Sequence, residues 1–135
     1  MGFLADLFLG KPPYGKPKPQ VGRWGEKYCR RILRKKGYRI LDRNFKGRHG
    51  ELDVVAVKKG VLVFVEVKTR KYDPAFTYGR PGDAVDLAKK KHLVYTAKEY
   101  VRRKKTTLPV RFDIFEVILH PDRAEWNHIE GAFRE

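Results

Sequence analysis

Asp53 closes the string Gly50-Glu51-Leu52-Asp53, and thirteen residues further on comes Glu66-Val67-Lys68. Two carboxylates brought together can hold one small cation. A lysine beside them can orient or polarise water, or offset negative charge that grows on a phosphoryl group. Whether they meet depends on the chain between. Glu51 to Lys58 and Val61 to Thr69 are apolar, β-branched runs divided by Lys59-Gly60, a hairpin signal. With those two residues as the turn, Asp53 faces Glu66, Glu51 faces Lys68, and the period of two puts all four side chains on one face. Directly opposed Cβ atoms lie about 4.5 to 5.5 Å apart, close enough for both carboxylates to reach one ion. A three-residue loop would shift the register by one and scatter them.

Two carboxylates inside an apolar hairpin repel each other and resist desolvation, so the pattern demands either a metal or a strong ion-pair network. A donor set of Asp53, Glu66, a backbone carbonyl such as that of Val67, and water is all oxygen, which suits Mg²⁺ or Mn²⁺ rather than Zn²⁺. Lys68 is the polarising group of that scheme. Glu51 is read as the partner that neutralises Lys68 or a nearby arginine.

The elements that must position these groups read as one α/β domain. Residues 11 to 20 contain Pro12, Pro13, Pro17 and Pro19 with three lysines, which predicts an extended linker, so 1–19 is taken as an N-terminal extension and 20–135 as the folded domain. Phe3, Leu4, Leu7 and Phe8 have the spacing of a short amphipathic helix. Val21, Trp24, Tyr28 and Ile32 recur at helical spacing and Gly37 follows as a C-cap. A strand is expected at Tyr38 to Leu41, a loop at Asn44 to Gly50, then the hairpin, and a long loop at Arg70 to Gly82. Asp83 is an N-cap for a helix to about Arg103. A strand follows at Val110 to Leu119, and Glu125 to Ile129 suggests a short edge strand. The hairpin carries apolar residues on both faces, Leu52, Val54 and Ala56 on one and Val55 and Val57 on the other. The sheet should therefore be covered by helices on two sides.

Composition narrows the partner. Among 135 residues, Lys plus Arg number 31 against 16 for Asp plus Glu, a formal net charge of +15 that favours nucleic acid first and an anionic membrane surface second. The one cysteine, Cys29, excludes an intramolecular disulfide, and a reducing cytoplasm is the expected compartment. No stretch approaches the roughly 20 apolar residues of a spanning helix, and peripheral membrane association, resting on residues 3 to 9 and the basic linker, is the weaker reading. Tyr72, Phe76 and Tyr78, beside Arg70, Lys71 and Arg80 in a loop rich in glycine and proline, could hold an unstacked base. Arg111 and Asp113 alternate on one strand face and read as structural.

Asp53, Glu66 and Lys68 resemble the PD-(D/E)xK nuclease signature, with Leu52 where the motif name has proline. A wider string carries a closer resemblance: Gly22-x-x-Gly-Glu26 opening a helix, Gly37-Tyr38 with Asn44 after it, Gly50-Glu-Leu-Asp53, and Phe64-Val-Glu-Val-Lys-Thr-Arg70. Lys89, Arg111-Phe-Asp113 and Ala132-Phe133 complete it. Together these are similar to the YraN family of predicted bacterial endonucleases, related in fold to archaeal Holliday-junction resolvases, over about residues 20 to 134. The resemblance implies a restriction-endonuclease-like core in α-β-β-β-α-β order. It also implies a metal held by Asp53 and Glu66, Lys68 as catalytic lysine, and Glu26 as a further acidic group. It places a lysine at Lys89, within reach of a phosphate. The expected activity is Mg²⁺- or Mn²⁺-dependent hydrolysis of phosphodiester bonds in DNA, and the resolvase likeness points to branched or junction DNA. A domain this small would favour a homodimer for such a substrate. The competing reading is a nucleic-acid-binding protein whose acidic cluster is an ion-pair network and which cleaves nothing.

Overall fold

The computed structural model describes residues 10–75 and 87–134. Helix α1 spans Lys18–Lys35, so Lys18 to Gln20 form its first turn rather than the end of an extended linker. Pro19 is compatible with that turn, where the missing N–H is not needed and the fixed φ suits the helix. The preceding residues also pack: Pro12 and Pro13 are buried, and Tyr14 lies against the core. At the other end Gly37 takes φ 91°, with Tyr38 N–H donating to Leu33 and Gly37 N–H to Arg34, which closes the helix as a Schellman motif.

Five strands follow: β1 (Arg39–Lys46), β2 (Glu51–Lys58), β3 (Val61–Lys71), β4 (Val110–Leu119) and β5 (Ala124–Phe133), with α2 (Leu87–Lys104) between β3 and β4. They form one sheet in the order β1-β2-β3-β4-β5, antiparallel except for β3 and β4, which α2 connects in parallel. Lys59 and Gly60 both have positive φ, 50° and 75°, as a two-residue I′ turn requires. The expected N-cap Asp83 lies outside the described residues.

The sheet is covered on both faces. Tyr28, Cys29 and Leu33 of α1 pack on Val54, Val63, Val65, Phe115 and Val117. Leu93, Ala97 and Tyr100 of α2 pack on Val55, Leu62, Phe64, Phe112 and Ile114. The α-β-β-β-α-β order, mixed sheet and two-sided covering are those expected of a restriction-endonuclease-like core, with β5 added as a full strand.

Three local expectations change. The segment Asn44–Lys46 is strand, not loop: a bulge at Leu41 resets the register to β2, and Phe45 then faces Leu52. Leu52 joins the α2 side rather than the side of Val54 and Ala56, since β2 leaves the β3 ladder after Val54 and follows β1 instead. The edge strand predicted at 125–129 is ten residues long, and its pairing with β4 has an irregularity between Phe112 and Ile114.

Candidate metal and phosphate site

The turn sets the hairpin register from Lys58 opposite Val61 to Val54 opposite Val65. One step further the backbone ladder gives way to a side chain: Asp53 Oδ2 accepts the N–H of Val67 at 2.9 Å. Asp53 and Glu66 are thereby held together at the point where β2 and β3 separate. Glu66 is buried, and its Oε1 lies 2.8 Å from Nζ of Lys89, which reaches down from the first turn of α2. Burial, then the neighbouring Glu66 carboxylate, push the Asp53 pKa up to about 7, against the partial relief of the Val67 N–H.

The Lys89 and Lys68 side chains also contact each other. That contact, ahead of burial, holds the Lys68 pKa below its ordinary value. Burial opposes the charge on Lys89, but its hydrogen bonds to Glu66 and Lys68 outweigh it and raise the pKa. Half-buried Asp53, buried Glu66 and two lysines thus sit within one interacting cluster.

Glu26 reaches this neighbourhood from α1. Gly25, buried, meets Thr69 of β3 so closely that α1 lies directly on the strand that carries Glu66 and Lys68. With its amide nitrogen turned toward the acids, Asn44 donates to Glu26 Oε1 at 2.9 Å and to Glu51 Oε1 at 3.0 Å. Burial raises the Glu26 pKa; Arg30 opposes this, while Glu51 and Glu66 add to it. Glu51 therefore does not face Lys68 as the hairpin register implies. It sits opposite Lys46 of β1, because β2 has already parted from β3 at that point.

Glu26, Val67, Lys68 and Arg70 line a cleft of about 620 Å³ together with Lys16, Lys18 and Lys71. Arg70 donates to Glu116 at 3.0 Å. Of the other nucleic-acid contacts expected from the sequence, Tyr78 and Arg80 lie outside the described residues. The structure thus brings together Asp53, Glu66, Lys68, Val67, Glu26 and Lys89. The sequence marks Lys89 as a phosphate contact and carries no signal that Asn44 clamps the two acids. The bridge from Lys89 to Glu66 depends on how α2 docks, which no local spacing reveals.

A second cluster joins Asp113, His128 and Glu130, whose ligand atoms lie within 4.8 Å of one another and could hold a metal ion. Its charge is already answered. Arg111 places Nε and Nη2 at 2.8 and 2.9 Å from the two Asp113 oxygens, Gly131 N–H donates at 3.0 Å, and His128 Nε2 lies 2.7 Å away. Although burial opposes ionisation, the bonds from His128 and Arg111 prevail and lower the Asp113 pKa. Arg111 and Asp113 pair with each other on the strand face they share.

Residues 25–117 match the model of a family described as Uncharacterised protein family UPF0102. The chain belongs to the UPF0102 family. This is the YraN family that the sequence string resembles. Similar UPF0102 proteins include one from Syntrophotalea carbinolica, 43% identical over 114 residues, covering 84% of this chain and 90% of that protein. One from Caldanaerobacter subterraneus subsp. tengcongensis is 44% identical over 121 residues, covering 86% and 96%. Among solved structures, Pyrococcus furiosus SfsA in complex with Ca²⁺ aligns with this UPF0102 chain at a TM-score of 0.36 and 15% identity, over 90% of this chain and 69% of that one. Among the described residues, no helix is long and apolar enough to cross a membrane.

Proposed function

We propose that this UPF0102 protein is a divalent-cation-dependent endonuclease that hydrolyses phosphodiester bonds in DNA, with branched DNA the preferred substrate and a homodimer the working unit. The observation that carries the reading is the pair Asp53 and Glu66: two carboxylates in a largely apolar setting, one pushed up to about 7, with the Lys89 ammonium 2.8 Å from Glu66. Such a pair fits a hard cation with oxygen ligands, and Lys89 marks where positive charge is wanted.

Asp53 and Glu66, with the carbonyl of Val67, would hold Mg²⁺ or Mn²⁺. When bound, the cation would polarise a phosphoryl oxygen and make its water more acidic. Lys68, its pKa lowered by Lys89, is placed to take a proton from water or to offset charge growing on the phosphate. Glu26, held by Asn44 at the cleft wall, would offer a further carboxylate to water or metal there. Lys16, Lys18, Arg70 and Lys71 supply backbone attraction with little choice of sequence.

The ion pair between Glu66 and Lys89 equally suits a protein that binds nucleic acid and cuts nothing. The deciding experiment incubates labelled four-way-junction, flap, single-stranded and linear duplex DNA with the protein in Mg²⁺ or Mn²⁺, alongside Asp53→Ala and Lys68→Ala. Product that disappears in both variants, while they still bind DNA, supports the nuclease. A wild type that binds and never cuts leaves the binding protein.

A further inference from the structure

Helix α1 holds seven cationic residues, Lys18, Arg23, Lys27, Arg30, Arg31, Arg34 and Lys35, against the one acid Glu26. On most proteins such a run is a solvated face with its side chains splayed into water. Here the cations share concave surface. The cleft at Lys68 is joined through Lys16 to a second depression of about 440 Å³ that adds Lys11, Arg23 and Lys27. Lys27 in turn borders a third, of about 430 Å³, lined among the described residues by Lys27, Arg30, Arg31, Arg34, Lys35 and Arg43. Arg43 is contributed by β1, so the third depression is built by two elements rather than by one helix surface.

Arg30 is only 7% exposed at the wall of that depression. Its pKa is lowered by burial first and then by Arg43, with Glu26 opposing and Arg34 adding to the repulsion. Arg43 and Arg34 thus disfavour the charge that Arg30 carries at this wall, and a polyanion seated beside them would offset that repulsion.

We propose that α1 is a one-sided phosphate track: a nucleic-acid duplex lies along it, its backbone running from the cleft at Lys68 to the hollow between Arg30 and Arg43. The proposal rests on the nucleic-acid partner proposed above, not on cleavage. Eighteen residues of helix extend about 26 Å, which is seven to eight base pairs at about 3.4 Å each. The contact therefore reaches to one side of the cleft by most of a helical turn. The lining of the third hollow, arginine-rich and, among the described residues, without a large apolar side chain, matches phosphate geometry. An anionic membrane would instead call for apolar residues to insert between the cations.

The test measures binding of the full chain to a fluorescent duplex of about 20 base pairs in EDTA, over a salt series, so that cleavage plays no part. Lys27→Ala/Arg34→Ala/Arg43→Ala is compared with Lys98→Ala/Arg102→Ala/Lys105→Ala, which removes equal charge from exposed positions on and just beyond α2. The first triple is expected to lose about tenfold or more in affinity and to flatten the salt slope by about two to three, the second to lose less than about threefold. Equal losses in both would mean net charge alone, and an unchanged first triple would mean no track; either overturns the proposal while leaving the nuclease reading intact. A wild type that binds no duplex overturns the track together with its partner, whatever its metal site does. Vesicles of equimolar phosphatidylcholine and phosphatidylglycerol form the last arm. If the first triple loses vesicle binding but keeps duplex binding, the surface belongs to a membrane and the proposal fails.

Discussion

Gly25 of α1 lies so near Thr69 of β3 that a Cβ on the glycine would fall 1.8 Å from Thr69 Oγ1 and 2.8 Å from its Cβ. This close approach is what lets Glu26, the next residue, enter the cleft that Lys68 and Thr69 line. In an ordinary helix interior, alanine for glycine gains about 1 kcal/mol. Here the clash reverses the sign. Gly25→Ala is expected to cost about 1 to 3 kcal/mol net, seen as a lower urea midpoint with unchanged slope. Adding Thr69→Gly, which removes both clashing atoms, should recover part of the midpoint. A Gly25→Ala protein as stable as wild type would show that α1 does not need this contact.

Asp53 gives the metal-free protein a specific pH dependence. Its folded pKa of about 7 lies above the ordinary 3.8, so between those values the native state holds a proton that the unfolded chain has released. The stabilising contribution is therefore complete below 3.8 and is lost as pH rises toward 7. The loss should amount to about 2 to 4 kcal/mol. Urea unfolding in EDTA at acid and neutral pH should show this fall in wild type and a much flatter profile in Asp53→Asn. Parallel profiles in the two proteins would mean that Asp53 ionises at its ordinary value.

The hairpin was legible in the sequence because its register depends on two turn residues, Lys59 and Gly60, and on a period of two that any reader can count. The same count fails at Glu51. It assumes that β2 stays with β3, whereas the Asp53 side chain takes the Val67 N–H and ends the ladder. Asn44 to Lys46 looked like loop because an edge strand needs few apolar residues, and Asn44 at φ 51° is unusual for strand. Lys89 was visible only as one of three consecutive lysines. Which of them reaches Glu66 is decided by the rotation of α2 over the sheet, a property of Leu93, Ala97 and Tyr100 packing far along the helix.

The cluster around Asp113 should behave as structure. Asp113 is fully buried and depends on the two-pronged Arg111 contact for its charge. Arg111→Ala leaves that carboxylate with His128 and one backbone N–H, which should cost about 3 to 5 kcal/mol. Thermal unfolding reads the loss. DNA cleavage per folded molecule, measured well below the lowered midpoint, should stay within about threefold of wild type. A stable Arg111→Ala protein that has lost cleavage would instead move this cluster into the working site.

Lys89 and the cation should be alternatives at Glu66. With the ammonium 2.8 Å from Glu66 Oε1 but its own side chain 39% exposed, Lys89→Ala should destabilise the metal-free protein by about 1 to 3 kcal/mol, less than a fully buried pair would. Mg²⁺ at about a hundred times its Kd should add about 2.7 kcal/mol to wild type. At the same Mg²⁺ concentration the gain in Lys89→Ala should be larger, because no ammonium competes for Glu66. Asp53→Asn and Glu66→Gln should gain little. Melting temperatures with EDTA and with Mg²⁺ for these four proteins check the set. If Mg²⁺ stabilises Asp53→Asn as much as wild type, the ion binds elsewhere, and the group of Asp113, His128 and Glu130 becomes the first place to look. If Lys89→Ala gains no more than wild type, ammonium and metal do not share Glu66, and the ion pair belongs to the binding protein rather than to a nuclease.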